Sequence, residues 1–580
     1  MKRILSLLLT VVLVFGCLAV LSSCAPEDAG AEINIYLGNQ VYDLDPTDYY
    51  VDSNAEQVMS LLFEPLFSIN EKGKLECAAA KKYTVDREER KITVELRESY
   101  WSDGKRVTAA DFIYAWSERL LNPNNPNPAA ALLYDIENAA AIKSASGGYR
   151  INDLGVEATG VYELVITYRR GADYETLLRN LASVATAPVR QDLVSVAESY
   201  WTKALNTIAT NGPFAIKTLN YGDGEFTLER NYGYHQLPTE EDFDNNVVPA
   251  ELHATFTVSG EAVSVSYADI ENKAKFLMTD APLSDRAAKK GNAQVVDDTS
   301  VYSYVFNTNN PLFANEKVRQ ALSLAIDRNA IVNAISFGKA ANGFLPDASG
   351  GSYDGISGSA DPAKARALLA EVEDLEALGT SFTLTVNDDE ESLKIASIVE
   401  AAWEELGFDV TVEALGTVVT TISTVEIIDS AVQVAVKEAA YGNYSYDVIA
   451  VDWQTYSADP FVGLSAFSSA LCGCGTVGAS GERRTNISGW YNKDYDYLLN
   501  TALKSEGDAR TEALKDAEKI LVESAPIVPI VFNQSIAFVG SELGELYADA
   551  LGNWVFSGLE LANYHDYPGS NSQAVDLEEE

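Results

Sequence analysis

The chain has 580 residues, of which 47% are hydrophobic and 10% aromatic, and this size and composition suit a globular protein of several domains. A formal net charge of −43 argues against a nucleic acid partner and against direct adhesion to anionic lipid headgroups, since both need basic surfaces. Five cysteines are too few for a disulfide framework in a chain of this length.

Residues 1–23 have the order of a secretion signal. The basic residues Lys2 and Arg3 precede an apolar run to about Val20, which ends in Leu-Ser-Ser before Cys24. This ending resembles the lipobox of bacterial lipoproteins, in which the thiol receives a diacylglycerol thioether and the signal is cut before the cysteine. The resemblance implies that Cys24 is the lipid attachment residue. The alternatives are an ordinary secreted protein and a short transmembrane anchor, for which the apolar run is short.

A lipoprotein of this kind lies on the outer face of the bacterial cytoplasmic membrane, at the cell surface or in the periplasm. Residues 24–32 are small and polar, and we expect them to tether the folded chain to the lipid. Residues 569–580 end in Leu-Glu-Glu-Glu and predict a solvated acidic tail. We expect no membrane-spanning helix after residue 23, so the lipid anchor would be the sole membrane contact.

Between these ends, strand-like and helix-like patterns alternate along the chain. In chain order the pattern predicts strand 33–37, helix 54–66, strand 91–97, helix 108–121, strands 162–168, 226–230 and 302–307, helix 315–337, a helix opening at 361–362, strand 382–386, helix 391–406, strands 409–415 and 446–452, helix 508–524 and strand 527–533. Thr108 with Asp111 forms an acidic variant of the capping box, and Pro362 suits a first helical turn. This alternation predicts α/β layers.

Residues that carry known catalytic chemistry are scarce. The three histidines, His235, His253 and His565, are not spaced as a metal pair, and the chain has no GxSxG, Walker or GxGxxG motif. We interpret residues 388–391 (Asp-Asp-Glu-Glu) as a loop and an acidic first helical turn, which the helix dipole favours, rather than as glycosidase acids. We therefore expect no enzyme activity, no metal site and no cofactor.

Cys472 and Cys474 flank a glycine in a glycine-rich segment. They could chelate a metal ion or close a strained small ring. Because no histidine or third cysteine lies nearby, a metal site has little support, and we favour the interpretation as two thiols in a loop.

Five matches along the chain together resemble one protein family. Residues 99–116 are similar to its WSDGxxVTAxDFxYxW stretch, and residues 307–328 to its NxxxxPFxxxxVRQALxxAIDR stretch. The shorter matches are the opening, to which segments 44–46 (LDP) and 62–66 (LFEPL) both belong, then 210–214 (TNGPF) and 525–530 (APIVPI). The family is the oligopeptide/dipeptide-binding class of extracellular solute-binding proteins (family 5), which serve ATP-driven importers. Because the matches keep the family's order, the chain is identified as a member from about residue 33 to 565.

The resemblance implies an α/β fold, a two-lobed clamp like that of periplasmic binding proteins, built from three domains with a ligand cleft between the lobes. Domain I would be discontinuous and would comprise residues 33–75, 205–301 and 535–568. Domain II, an insertion, would comprise residues 76–204, and domain III residues 302–534. The chain crossings between the lobes would act as hinges.

In this family an extended peptide is held largely through its backbone, and an aspartate after a tryptophan pairs with the free amino end. Trp453 matches the family tryptophan. Counted back from residues 459–460 (Asp-Pro), the aspartate position falls on Tyr456, which is a departure. A phenol cannot neutralise an ammonium group, although its ring face attracts one weakly. Asp452 or Asp459 would have to substitute, with altered geometry.

The family also lines its cleft with aromatic side chains. Tyr134, Tyr302 and Tyr304 fall where these are expected, and Tyr49 and Tyr50 fall at the edge of the first lobe. Tyrosine suits the task because it has a rigid apolar body and one polar tip. The alternative for each is an ordinary core or surface tyrosine, since the chain has 30 of them.

The resemblance therefore implies a lipid-anchored extracellular protein that closes over a peptide without chemistry and delivers it, as a monomer, to the permease and ATPase subunits of an ABC importer. The departure at Tyr456 leaves open a non-peptide solute such as a metal chelate, haem or an oligosaccharide. Presentation of signalling peptides to a sensor is a further alternative. An extracellular hydrolase is motivated only by the acidic clusters.

Overall fold

The computed structural model describes residues 32–48, 53–197, 200–234, 247, 249–351, 353–422, 424–472, 486–544, 546–556 and 559. The predictions for residues 1–31, for Tyr49, Tyr50 and Cys474, and for the acidic tail concern residues outside these ranges. Within the described ranges, no helix has both the length and the apolar character needed to cross a membrane.

The strands are β1 Glu32–Asn39, β2 Phe67–Ile69, β3 Leu75–Cys77, β4 Ala80–Asp86, β5 Lys91–Leu96, β6 Val156–Gly160, β7 Glu163–Thr167, β8 Phe214–Asn220, β9 Glu225–Arg230, β10 Glu251–Thr257, β11 Phe276–Met278, β12 Gln294–Phe306, β13 Lys339–Ala340, β14 Ser381–Asn387, β15 Asp409–Leu415, β16 Thr417–Ile422, β17 Val425–Ser430, β18 Val448–Gln454 and β19 Ile527–Val539.

The α-helices are α1 Ser53–Leu62, α2 Ala109–Tyr114, α3 Ala139–Lys143, α4 Tyr174–Asn180, α5 Gln191–Ala197, α6 Tyr267–Asn272, α7 Leu283–Lys289, α8 Pro311–Ala314, α9 Glu316–Leu324, α10 Arg328–Ile335, α11 Pro362–Leu369, α12 Leu375–Leu378, α13 Glu390–Glu404, α14 Ala431–Ala440, α15 Pro460–Ser465, α16 Lys493–Lys504 and α17 Gly507–Ser524. Short 3₁₀ segments lie at Pro128–Leu133, Ile151–Asp153, Val184–Thr186, Lys290–Asn292 and Asp347–Ser349, and a π-helical segment at Ala115–Leu120.

One large mixed sheet runs through the molecule in the order β15-β14-β18-β12-β19-β11-β1-β10-β9-β8, with β13 paired to β19. We call the half from β11 to β8, with the helices beside it, the first lobe. The half from β15 to β19, with its helices, is the second lobe. A separate sheet in the order β4-β5-β7-β6 belongs to the segment inserted between β3 and β8. The architecture is the α/β, two-lobed clamp that the sequence predicts, whereas the exact domain boundaries stay a prediction.

β12 and β19 connect the two lobes. Each strand has 13 residues, and they pair antiparallel from Gln294↔Ala537 to Val305↔Ile527. The far end of β19 goes on to pair with β11 of the first lobe. The β12–β19 register shifts twice, between Asp297 and Val301 and again between Tyr302 and Ser303. Such irregularities bend and twist a ladder locally, and here they lie in the two strands that join the lobes.

The motifs that carry the family resemblance hold the scaffold. Asp45, from the LDP segment, is buried and accepts hydrogen bonds from the Trp201 indole and the Arg119 guanidinium, both at 2.6 Å. Arg319 is buried and donates to the carbonyl oxygen of residue 524 at the end of α17, at 2.7 Å. Arg328 donates from Nε to the carbonyl oxygen of Pro529 in β19, also at 2.7 Å. These buried cations satisfy carbonyl groups that would otherwise lack partners.

Most predicted elements are confirmed, and the differences have local causes. The helix predicted at 54–66 ends at Leu62, because the residues before Pro65 avoid the helical conformation. The single helix predicted at 315–337 is wrong. Asp327 interrupts it and caps α10 by accepting from the amide N–H of Ala330 at 2.9 Å. The predicted cap at Thr108 is confirmed, since its amide donates to Asp111 Oδ2 at 2.8 Å. The rest of that helix continues as the π-helical segment.

Candidate functional site

A cavity of about 500 Å³ lies between the lobes, and a second cavity of about 200 Å³ lies beside it. Both linings include Asn39, Asp280, Arg286 and Asp452, so the two cavities are adjacent, and we call them together the cleft. Its first wall comes from the first lobe and its second wall from the second lobe, as expected for a ligand site between two lobes.

The first wall is built at the carboxyl ends of β1 and β10. These strands are parallel, so the segments after Asn39 and Thr257 leave the sheet at the same edge. Gly38 stands at the end of β1 with φ of +90°, and a Cβ there would come within 2.6 Å of Asp280. Glycine is therefore required where β1 passes Asp280, and this close approach brings the Asp280 carboxylate to the cleft.

The second wall is built where β14 ends and α13 begins. Asp389 caps α13: its Oδ1 accepts from the amide N–H of Ser392 at 2.8 Å and its Oδ2 accepts from the Ser392 hydroxyl at 2.7 Å. The predicted loop and acidic first turn at 388–391 are thus confirmed. The same four residues also line the cleft, which the local interpretation of this run did not foresee.

Three contacts join the two walls directly. The Arg286 guanidinium of α7 bridges Asp280 on its own wall and Glu391 on the opposite wall. Ser259 Oγ donates to Asp388 Oδ2 at 2.8 Å, and the amide N–H of Leu283 donates to Glu390 Oε2 at 3.2 Å. Burial acts to lower the pKa of Arg286, but the two carboxylates raise it above its ordinary value, so the bridging guanidinium is charged.

A second junction of the lobes contains buried acids. Glu56 of α1 accepts a hydrogen bond from the Gln454 side chain of β18. Burial raises the pKa of Glu56 from 4.5 to about 7. Burial likewise raises the pKa values of Asp298 and Asp549, each to about 6, and both carboxylates act to raise the pKa of Glu56 further. The carboxylates of Glu56, Asp298 and Asp549 therefore take up protons as the pH falls from about 7 to about 6.

Two of the predicted site residues lie in the cleft. Asp452 lines both cavities and accepts a hydrogen bond from the Asn533 side chain. Tyr302 lines the smaller cavity, and its ring centroid lies 5.9 Å from that of Tyr304. Tyr304 itself is fully buried in the core, 5.8 Å from Trp403, and lines neither cavity.

Trp453, Tyr456 and Tyr134 are also buried and line neither cavity. The Trp453 ring lies 5.4 Å from that of Phe467, and its indole N–H has no hydrogen-bond partner among the described residues. Tyr456 has a φ of 60°, an uncommon conformation for a residue with a side chain. The Tyr134 hydroxyl donates to the carbonyl oxygen of Leu471 at 3.1 Å. Their roles in ligand binding stay predictions.

One group among the described residues has the donor atoms for a metal ion. Glu32, Glu251 and His253 place their ligand atoms within 4.8 Å of one another. Glu32 begins β1, and Glu251 and His253 lie at the start of the neighbouring strand β10, at the opposite end of these strands from the cleft. Lys217 already forms an ion pair with Glu251, and the acids are partly exposed, so nothing in this arrangement favours a bound metal over a surface ion-pair cluster.

Comparison with known proteins identifies the family to which this chain belongs. The family described as "Bacterial extracellular solute-binding proteins, family 5 Middle" matches residues 74–472, more than half of the chain. The chain belongs to this family. It is 27% identical to the dipeptide-binding protein DppE of Bacillus subtilis over 498 residues, which covers 83% of each chain. It is 26% identical to the oligopeptide-binding protein OppA of Bacillus subtilis, covering 90% of this chain and 93% of that one.

The fold is also that of solved structures. The structure of Haemophilus influenzae OppA in complex with the peptide RPPGFSPFR matches this chain with a TM-score of 0.75 and 22% sequence identity. The match covers 93% of this chain and the whole of that one. At this identity the likeness establishes the two-lobed fold, and the residues in the cleft must be argued from their own geometry.

Raising the pH should destabilise this protein partly through Glu56. The folded pKa of about 7 exceeds the ordinary value of 4.5, so the stability that Glu56 contributes below about pH 4.5 is lost as the pH rises towards 7. Glu56→Gln mimics the protonated acid, and its thermal midpoint should fall less than that of the natural protein between pH 5 and pH 8.

The exposed residue Glu373 provides the matched control, because Glu373→Gln removes one charge at the surface. This variant should follow the natural pH profile and so account for the general effect of net charge. If the thermal midpoints of Glu56→Gln and of the natural protein changed equally between pH 5 and pH 8, the assignment of a proton to Glu56 would be contradicted.

Proposed function

We propose that this protein is the peptide-binding component of an ABC importer, which encloses a peptide in the cleft and delivers it to membrane permease and ATPase subunits. The cavity of about 500 Å³ with walls from both lobes carries the proposal. Its volume lies in the range of about 300 to 1,000 Å³ that is typical of small-ligand sites. The names of the relatives, which are dipeptide- and oligopeptide-binding proteins, support peptides as the ligand class.

Closure would follow from contacts that exist only while the lobes are together. The Arg286 bridge, the Ser259–Asp388 hydrogen bond and the Lys437–Asp48 ion pair all join the two lobes. These groups return to water when the lobes separate, so a ligand that holds the walls together gains their interaction energy. Binding and release then need no covalent chemistry, and the protein would act as a monomer.

We further propose that the mature protein begins at Cys24 and is held by its lipid on the outer face of the cytoplasmic membrane. The signal-like segment and the Leu-Ser-Ser-Cys ending support this arrangement. A surface tether fits the role, because a binding protein anchored next to its permease presents ligand at a high effective concentration.

Native mass spectrometry of the protein lacking residues 1–24 tests the ligand class. Binding proteins that enclose their ligand often retain it during purification, so we expect adducts that fragment into peptides. The amino ends of these peptides would also show whether a free amine is accepted despite Tyr456. A single non-peptide adduct, such as a metal chelate or an oligosaccharide, would contradict the proposal.

Removing a contact between the lobes should weaken ligand binding without altering the cleft itself. Lys437 Nζ of α14 lies 2.7 Å from Asp48 Oδ2 of the first lobe, and both side chains are about one-third exposed. Lys437→Met should therefore weaken peptide affinity by about threefold to tenfold, as expected for a partly buried charge pair. Titration calorimetry measures this change.

The exposed Lys515 on α17 provides the control for that experiment, since Lys515→Met makes the same substitution away from the lobe contacts. The Lys515→Met variant should bind peptide with the same affinity as the natural protein. Equal affinity for Lys437→Met would show that this ion pair has no part in closure.

The anchor is tested by Cys24→Ser. A hydroxyl cannot form the thioether, so the variant should take up no radiolabelled palmitate and should leave the membrane fraction. Cys77→Ser, which changes a thiol in the folded chain, should still be labelled. Labelling of the Cys24→Ser variant would refute the assignment.

A further inference from the structure

The cleft has a strongly one-sided charge. Among the residues that the structure describes, seven carboxylate side chains line the larger cavity, together with a single cationic side chain, Arg286. The carboxylates are Glu261, Asp280, Asp388, Asp389, Glu390, Glu391 and Asp452. They come from both walls, so a molecule in the cleft faces negative charge from two sides.

Arg286 offsets only part of this charge. It pairs with Asp280 and Glu391, the two carboxylates that it bridges. Asp388 and Asp389 accept hydrogen bonds from the hydroxyl groups of Ser259 and Ser392, which bring no charge of their own. Within the described part of the chain, neither of these two carboxylates forms an ion pair. Their charge is therefore available to a ligand.

Two effects raise the pKa of Asp389. Burial is the main one, and the nearby carboxylates of Glu391 and Asp280 raise it further, although the Ser392 hydrogen bonds act in the opposite direction. Burial also raises the pKa of Asp280. A cation placed among these groups would relieve the mutual repulsion that the closed cleft otherwise retains.

The smaller cavity adds a requirement of a different kind. Trp554 lines it, is 3% exposed, and its indole N–H has no hydrogen-bond partner among the described residues. A buried N–H donor needs an acceptor oxygen, which a bare metal ion cannot supply. A peptide carries carbonyl oxygens as well as charged side chains. The cleft is thus complementary to a cationic molecule that also offers acceptor oxygens.

We propose, as a refinement that rests on the proposed peptide-binding function, that the cleft selects peptides with lysine or arginine side chains over neutral and acidic peptides. The cationic group would lie against the loop at residues 388–391, between the two walls. Opposite charges attract here at short range and away from bulk water, whereas a glutamate side chain would meet only repulsion from the same carboxylates.

Matched peptides test this selection on the mature protein in detergent. Ala-Lys-Ala, Ala-Gln-Ala and Ala-Glu-Ala, with the corresponding tetra- and pentapeptides, share their termini and differ only in side-chain charge. Titration calorimetry should show that the lysine peptides bind most tightly and the glutamate peptides most weakly, with the glutamine peptides between them. The affinities of the lysine and glutamate peptides should differ at least tenfold. Raising the salt concentration from 20 mM to 300 mM should narrow this difference only slightly, because salt screens charges that are shielded from bulk water much less than exposed ones.

Variants locate the origin of the preference. The double change Asp388→Asn with Glu390→Gln keeps the Arg286 bridge and removes two carboxylates, so the lysine-to-glutamine affinity ratio should fall several-fold towards one. Asp508→Asn, at an exposed site at the start of α17, should leave that ratio unchanged. A ratio that is unchanged in the double variant would overturn the proposed role of this loop.

The outcomes separate the two proposals. Equal affinities for the three peptides, or tightest binding of the glutamate peptide, would overturn charge selection while leaving peptide binding established. If calcium chloride alone raises the thermal midpoint and abolishes binding of the lysine peptide, the acids form a metal site and charge selection of peptides is overturned. Failure of every peptide to bind would overturn the peptide function and the refinement with it.

Discussion

The pairing of β12 with β19 is the interaction on which the rest of this structure depends. Both strands are 13 residues long, and their ladder is continuous with the first-lobe strand β11 at one end and the second-lobe strand β18 beside it. The two lobes therefore share one sheet, and every contact across the cleft is made between bodies that these strands already hold near each other.

The cleft uses carboxylates that the fold also needs for other reasons. Asp389 caps α13, and Glu390 and Glu391 occupy the first turn of that helix, where negative charge is favoured by the helix dipole. The loop is held by these local interactions, so its carboxylates are presented to the first lobe in a fixed arrangement. Arg286 then joins the walls through two of the acids and leaves the remaining charge facing the cavity. Local helix chemistry and the charge of the site are thus supplied by the same residues.

Residues that are adjacent in sequence can have different roles once the chain folds. Asp452 and Trp453 are neighbours on β18, and successive side chains of a strand point to opposite faces of the sheet. Asp452 lines the cleft, whereas Trp453 packs against Phe467 in the core. The resemblance matched Trp453 to the family tryptophan and offered Asp452 only as a substitute for the missing aspartate. A motif records position along the chain and does not say which face of a strand is turned to the cavity.

The sequence by itself determined the α/β class, the family and most of the elements, because alternating and helical spacings report local burial, and motifs such as the buried Asp45 and Arg319 are fixed by their scaffold contacts. The loop and acidic first helical turn at residues 388–391 were also predicted correctly. Only the tertiary structure decided that these acids face Arg286 and Asp280, which lie about 100 residues earlier in the chain, and that Glu56 meets Gln454 at the junction of the lobes. Those contacts arise when distant segments are brought together by the shared sheet, and no local pattern encodes the distance between them.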